Sequence, residues 1–225
     1  MNAQGKRSGE TAREYAYRMI REQVISLELK PGEAFNDMEF AAKIGVSRTP
    51  VREAVIQLSE ESRIIEIFPQ RGMRIAPIDV ELVEEARSLR VLLEKQIAGM
   101  CCEMATEEDI KWLQENVGLQ EFYMENSRPE MVMQLDDEMH RKLFMICHRE
   151  LTYGMCQKLA IHYDRIRSLS VNTVKDHTVI EDHKKIIRFI AAHEKENAMA
   201  QMEKHLSRWQ LNEGKFRQEF PDYFK

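Results

Sequence analysis

Two arginines four residues apart could bind the edges of DNA bases. Arg48 and Arg52 lie in the run from Gly45 to Ala54, in which Gly45 favours a turn and Pro50 fits the first turn of a helix. Residues four apart share one helical face, so both guanidinium groups would point the same way. A guanidinium can bind a guanine edge through two hydrogen bonds, so the pattern indicates a helix for the major groove of DNA. An ordinary surface helix with solvated arginines is the alternative.

One aspartate and three histidines could bind a metal ion. Asp136 and His140 are four residues apart, so both side chains can point to one place on a helix. His183 and His205 lie in later helical segments, and such positions can converge on the axis of a bundle. One carboxylate and three imidazoles suit Zn, Ni, Mn or Fe(II), with positions open for water or a ligand. Spacing alone does not separate these residues from the other histidines, His148, His162, His177 and His193.

The composition is that of a helical, globular protein. Hydrophobic residues make up 43% of the 225 residues, which allows a buried core, and 9 glycines with 6 prolines favour helices over a turn-rich β fold. No apolar run approaches the roughly 20 residues of a membrane span, and residues 1–7 lack the apolar stretch of a signal peptide. The 4 cysteines form no CxxC pair, which indicates buried free thiols in a cytoplasmic protein. Because the net charge is −5, DNA contacts must come from the local placement of arginines.

Residues 1–77 predict a winged helix-turn-helix domain. Apolar spacing predicts one helix that begins at Glu10 and ends before Pro31, and a short second helix over residues 37–43. The arginine-bearing segment forms the third helix, to about Glu61, and three short helices with this spacing make a helix-turn-helix core.

A two-stranded hairpin, the wing, is expected directly after these helices. Residues 64–68 and 73–76 are rich in β-branched residues or alternate in polarity, and Gly72 lies in the turn between them. Arg71 and Arg74 lie beside the tip, where a phosphate or minor-groove contact is plausible. The alternative is a small hairpin without a DNA contact.

Residues 78–225 predict an all-α bundle of six or seven helices, so the chain as a whole is mainly α. Pro77 marks the boundary, and every later segment has helical spacing. The predicted helices cover approximately residues 79–103, 106–126, 130–148, 151–170, 175–193 and 195–213.

The run Phe40–Ala54, followed by Pro69–Gly72, strongly resembles the GntR family of bacterial transcription regulators. The helical second part resembles the FadR subfamily, which carries an FCD ligand-binding domain. That second resemblance lies in Arg90–Glu94, in Leu135–His140 and in the segments around His183 and His205. The resemblance covers the chain from about residue 11 to residue 215 and implies a transcription regulator with the two domains described above.

For the first domain, the resemblance implies a homodimer that binds a short palindromic operator in double-stranded DNA. Arg48 and Arg52 would read base edges, and Thr49 would contact a phosphate. Gly72 would let the tip of the wing approach the minor groove, with Arg71 beside it.

For the second domain, the resemblance implies a divalent metal held by Asp136, His140, His183 and His205. A small organic acid would then bind over the metal through its carboxylate and control operator affinity, with repression favoured over activation. A guanidinium binds a carboxylate through two hydrogen bonds, so the candidate partners of that acid are Arg90, Arg165 and Arg167. Surface salt bridges are the alternative role for these arginines.

Four positions depart from the family pattern. Glu61-Ser62-Arg63 stands where many relatives have Glu-Gly-Leu, and Met38 stands where some have arginine. Both changes bear on DNA contacts or on the turn into the wing, so the operator can differ. Met139 replaces the aromatic residue that usually precedes the first histidine, a change that concerns packing.

Two other kinds of protein fit the same metal ligands. A metal-dependent enzyme could use two histidines and a carboxylate with open positions, but the chain offers no obvious pair of nucleophile and base. A purely structural metal would stiffen the bundle without an effector. The effector, the operator sequence and the identity of the metal are not set by the sequence.

Overall fold

The computed structural model describes residues 5–173 and 178–225. The first part contains three helices and three strands: α1 (Ala12–Ile25), β1 (Ala34–Phe35), α2 (Asp37–Ile44), α3 (Arg48–Ser62), β2 (Ile65–Phe68) and β3 (Gly72–Ile75). The rest is helical: α4 (Val80–Met104), α5 (Glu107–Glu125), α6 (Pro129–Ile146), α7 (Glu150–Leu159), α8 (Ile161–Thr173), α9 (Thr178–Ala191), α10 (Lys195–Leu206), α11 (Trp209–Glu219) and a short 3-10 helix (Pro221–Tyr223). The mainly α fold with an N-terminal winged helix-turn-helix is therefore confirmed. Among the described residues, every helix is too short or too polar to span a lipid bilayer.

Local signals explain the three helices of the first part. Thr11 caps α1 in a capping box with Glu14, and the side chain of Asn36 accepts two amide hydrogen bonds at the start of α2. Gly45 ends α2 with φ at 74°, a left-handed conformation that glycine adopts without a steric cost. The chain can therefore turn sharply from α2 into α3.

The small sheet has the order β1-β3-β2 and is antiparallel throughout. The predicted hairpin is present, with Ile65 opposite Ile75 and Phe68 opposite Gly72. The third strand, β1, was not expected from the sequence. It has two residues, too few for an alternating pattern, and its strand character comes only from pairing with β3.

The second part contains more helices than the six or seven expected, since eight α-helices follow residue 79 within the described residues. The predicted helix over 151–170 is divided at Ala160 into α7 and α8, and that over 195–213 is divided after Leu206 into α10 and α11. Neither break has a proline or glycine at the junction, so tertiary packing decides them. The Tyr163 hydroxyl donates to the Leu206 carbonyl (2.8 Å), and α11 brings Phe216 into full burial. The predicted start of the helix at residue 175, and His177, lie outside the described residues.

The main core lies among α4, α5, α6, α9 and α10. Gly99 lets α10 approach α4 closely, because a Cβ at this position would stand 2.9 Å from the sulfur of Met199. The four cysteines are buried free thiols, as expected. This core surrounds the predicted metal ligands and fixes the helices that carry them.

Candidate DNA-reading face and candidate metal centre

The recognition helix α3 separates a buried face from an exposed one. Val51, Val55 and Leu58 are fully buried in the core of the first part. On the other side, the side chains of Arg48 and Arg52 are 58% and 53% exposed. Thr49, also on α3, is exposed as well. The helix therefore offers two accessible guanidinium groups on a surface that its own packing holds rigid.

A buried carboxylate connects these two arginines. One oxygen of Asp37 accepts from Arg48 Nε at 3.0 Å, and the other accepts from Arg52 Nη1 at 3.1 Å. Burial of Asp37 opposes its ionisation, but the two guanidinium groups outweigh burial and lower the pKa of the carboxyl. Asp37 was not predicted from the sequence as part of this face. The signal that could have found it is an acidic residue at the start of the helix that precedes the arginine-bearing helix.

The wing presents basic groups at an exposed tip. Gln70 and Gly72 have positive φ values of 62° and 100°, which close the turn, and Arg71 between them is exposed. Arg74 is held differently: it pairs with Glu66 on the neighbouring strand at 2.5 Å. Arg71 is therefore better placed than Arg74 for a contact with a polyanion.

The four predicted metal ligands lie together in the centre of the helical part. They come from α6, α9 and α10, and one ligand atom of each lies within 4.8 Å of all the others. The Nε2 atom of His205 is 3.4 Å from that of His183 and 3.3 Å from that of His140, and Asp136 Oδ1 is 3.3 Å from His183 Nε2. All four residues are buried.

The protonation of these imidazoles tests whether a cation fits. His183 Nδ1 lies 2.8 Å from the amide oxygen of Gln120, which can only accept, so Nδ1 carries the proton and Nε2 presents a lone pair. His140 Nδ1 likewise faces the carboxylate of Glu94. Lone pairs that converge at such distances repel one another unless a cation or proton lies between them. The donor set therefore fits a divalent metal ion.

Burial keeps His183 and His205 ready to act as neutral ligands. It lowers the pKa of His183 to about 4, against the opposing effect of Asp136, and lowers the pKa of His205 well below its usual range. The pKa of Asp136 also lies far below its ordinary value, because nearby Arg167 and the histidines outweigh the effect of burial. At neutral pH His183 and His205 are thus neutral imidazoles and Asp136 is a carboxylate, the forms that bind metals.

A second layer of buried polar residues orients the ligands. Arg90 was expected near the site from the sequence, whereas Glu94, Gln120 and Asn116 were not predicted. Glu94 accepts from Arg90 Nε at 2.6 Å while it faces His140. Burial opposes the charge of Glu94, but Arg90 and His140 lower its pKa to about 2. Gln120, which holds His183, donates to the side chain of Asn116 at 2.7 Å. Residues that bind the outer nitrogen of a ligating histidine fix its tautomer and orientation.

Two of the three arginines proposed for an effector lie beside the ligands. Arg167 contacts Asp136 directly, and Arg90 is one residue removed, bound to Glu94. Arg165 does not lie there: it is fully buried and donates to the Ala76 carbonyl at 2.6 Å, at the junction with the first part. The expectation that Arg165 joins the same site is corrected by helix geometry, because residues two apart on a helix face away from each other.

Comparisons with known proteins agree with this architecture. Residues 12–75 match the model of the bacterial regulatory proteins of the gntR family, and residues 85–208 match that of the FCD domain. The HTH-type transcriptional repressor RspR of Escherichia coli K12 is 28% identical over 92% of this chain and 91% of its own length. The HTH-type regulator YdhC of Bacillus subtilis is 25% identical, over 85% of this chain and 86% of its own.

Two solved structures share the fold. E. coli McbR/YncC superimposes with a TM-score of 0.78 at 18% identity, over 93% of this chain and 99% of that one. A GntR regulator from Rhodococcus sp. RHA1 gives a TM-score of 0.73 at 17% identity, over 90% of this chain and 97% of that one.

Proposed function

We propose a mechanism of control for this chain, which belongs to the FCD-containing transcription regulators of the gntR family and is not an enzyme. The mechanism divides the chain into a DNA-binding domain, residues 1–77, and an effector and dimerisation domain, residues 78–225. The first domain binds the operator. The second domain changes the affinity of the first for the operator when it binds a ligand.

On the DNA side, Arg48 and Arg52 read base edges in the major groove and Thr49 contacts a phosphate. The wing reaches the backbone or minor groove through Arg71 and Gly72. Support comes from the exposure of both arginines on a helix whose other face is buried. Two copies of the chain bind a palindromic operator, with recognition helices about one helical turn apart.

On the effector side, Asp136, His140, His183 and His205 hold a divalent ion such as Zn, Ni, Mn or Fe. The observation that carries this proposal is the meeting of three imidazole Nε2 atoms and a carboxylate in a buried site. When bound, the ion supplies positive charge and open coordination positions to which a small organic acid binds through its carboxylate. Arg167, and Arg90 through Glu94, are the neighbouring groups that respond to that added negative charge. Arg165 is left out, since it lies at the domain junction.

Control of DNA binding requires that the acid bind two states of the dimer with different affinities. In the repressor form that we favour, the acid stabilises a state in which the two recognition helices no longer match the operator. Typical coupling of this kind changes affinity by about 5- to 150-fold.

The experiment uses the full chain and an operator selected from random DNA duplexes. Operator affinity is measured for the Zn²⁺-loaded protein across a panel of small mono-, di- and tricarboxylic acids. At least one acid should change the affinity by about fivefold or more. The same acid should have no effect on the His205→Gln variant, while His148→Asn, an exposed histidine away from the cluster, should respond like the unaltered protein. If chelation lowers the melting temperature but no acid changes DNA binding, the metal is structural and the effector proposal fails.

A further inference from the structure

Helix α8 contacts both the metal centre and the end of the recognition helix, and we propose that it transmits occupancy of the metal centre to the recognition helix. The connection consists of the ion pairs Asp136–Arg167–Asp164–Arg21 and of a hydrogen bond from His162 to the end of α3. This inference rests on the proposed function and names the residues through which one site affects the other.

The first link is the guanidinium of Arg167, which touches a metal ligand. It contacts Asp136 through Nη2, and the same nitrogen lies 2.9 Å from Asp137 Oδ1. Its other terminal nitrogen, Nη1, donates to Asp164 Oδ1 at 2.7 Å. One positive charge thus serves three carboxylates, so an added cation at Asp136 competes with Arg167 for the same carboxylate. Occupancy must therefore alter the balance of charge around Arg167.

The second link is the buried carboxylate of Asp164, which joins the two domains. While one oxygen binds Arg167, the other lies 3.7 Å from Nη2 of Arg21 on α1. Arg21 also donates to the main-chain carbonyl of Gln157 at 3.0 Å. Since Asp164 is 3% exposed, water screens these interactions little. If Arg167 binds Asp164 more or less strongly, the interaction of Asp164 with Arg21 on the first helix of the DNA-binding domain therefore changes as well.

The third link joins the same helix to α3 itself. His162 Nε2 lies 2.5 Å from the carbonyl of Ser62, the last residue of the recognition helix. One residue earlier, Ile161 is buried in the core of the first domain, and Arg165 binds the Ala76 carbonyl just beyond β3. α8 bonds to the end of α3 at His162 and to a metal ligand at Arg167, so these two contact points lie less than two helical turns apart along α8. A small rotation of α8 would move both.

The test compares the effect of Zn²⁺ alone on operator affinity in the unaltered chain and in Asp164→Asn. Asparagine keeps the shape of the side chain but removes the charge shared by Arg167 and Arg21. In the unaltered chain, Zn²⁺ should change operator affinity by about fivefold or more, and DNA should change Zn²⁺ affinity by the same factor, as linkage requires. In Asp164→Asn both factors should approach one, while Zn²⁺ and the operator each still bind. The control Glu84→Gln removes an ion pair of the same i,i+3 type, with Arg87, away from this path, and should leave the factors unchanged.

Two results overturn the relay: the absence of any Zn²⁺ effect in the unaltered chain, or a full effect that persists in Asp164→Asn. If Asp164→Asn does not fold, Arg21→Gln, which removes the partly exposed end of the ion-pair chain, decides in the same way. Failure of the relay can be told apart from failure of the proposed function. The proposed function fails only if no organic acid changes operator binding by the Zn²⁺-loaded protein, and this is measured separately.

Discussion

Replacement of Asp37 by asparagine should reduce specific DNA binding while it leaves non-specific binding unchanged or slightly stronger. Asp37 holds Arg48 and Arg52 through separate oxygens, and asparagine can accept from only one of them. The released arginine must then be ordered by the DNA itself. At the same time the surface loses one negative charge, which favours contact with any phosphate backbone.

The size of the effect follows from the cost of ordering a long side chain, about 0.5–1.5 kcal/mol each on binding. One released arginine would give about 0.5–1.5 kcal/mol for each half-site. Because both side chains are more than half exposed, solvent already weakens their pairing with Asp37, and the lower part of this range applies. The expected loss is about 0.5–1 kcal/mol for each half-site, or about 2- to 5-fold in affinity.

The assay is a titration of the selected operator and of a scrambled duplex at several salt concentrations, with the full chain. Glu39→Gln is the matched control, because it removes the same charge from an exposed side chain two residues away on α2. Asp37→Asn should lose affinity for the operator alone, whereas Glu39→Gln should shift both duplexes equally. Equal behaviour of the two variants on both duplexes would refute the positioning role of Asp37.

Three further predictions concern the metal centre, the domain junction and the turn before α3. Glu94→Gln removes the carboxylate that His140 Nδ1 faces and should weaken Zn²⁺ binding about 10- to 100-fold, measured by competition with a chelator. Because the same change leaves buried Arg90 without its anionic partner, the metal-free melting temperature should also fall. Burial lowers the pKa of His162 to about 4, below its usual 6.5, so the folded state takes up its proton later than the unfolded state as pH falls. The free energy of unfolding should therefore fall between about pH 6.5 and 4, and His162 alone should account for up to about 3 kcal/mol of that fall. In denaturation measured across this pH range, His162→Gln should show a smaller fall. A variant with the same pH profile as the unaltered chain would contradict this assignment. Gly45→Ala should destabilise the first domain by about 1–2 kcal/mol in thermal melts, because Gly45 has a positive φ. Gly118 is the control: it lies in a helix, and a Cβ added there would have nothing within 4 Å. Gly118→Ala should therefore be neutral or stabilising in the same melts.

The sequence predicts those features that depend on local spacing. The helix-turn-helix follows from apolar periodicity and Gly45, and the pair Asp136 and His140 follows from the i,i+4 geometry of one helix. The family resemblance was needed to choose His183 and His205 as the other two ligands in place of the exposed His148. Side chains on separate helices converge only after the helices have packed.

Other features depend on tertiary contacts that no spacing encodes. Gln120 and Glu94 hold ligands from different helices, and α7 and α8 separate at Ala160 without a helix-breaking residue. For Arg165, helix geometry alone could have shown that it does not share a site with Arg167, because residues two apart do not lie on the same helical face. Its actual partner, a main-chain carbonyl at the domain junction, could not have been found without the fold.

Both candidate sites share one physical arrangement, in which a buried carboxylate is already bound to arginine before any ligand arrives. At the DNA-reading face, Asp37 binds one nitrogen of each arginine and leaves the other guanidinium donors for the bases. At the metal centre, Arg167 binds one oxygen of Asp136, the carboxylate that a cation would also bind. Binding of a cation is then a partial exchange of partners, so its free energy is the difference between two sets of strong interactions. Such a difference is small compared with either set of interactions. For that reason a modest change around Arg167 can alter the affinity for DNA at a distance. A rigid site whose ligands had no other partners would respond only to its own ligand.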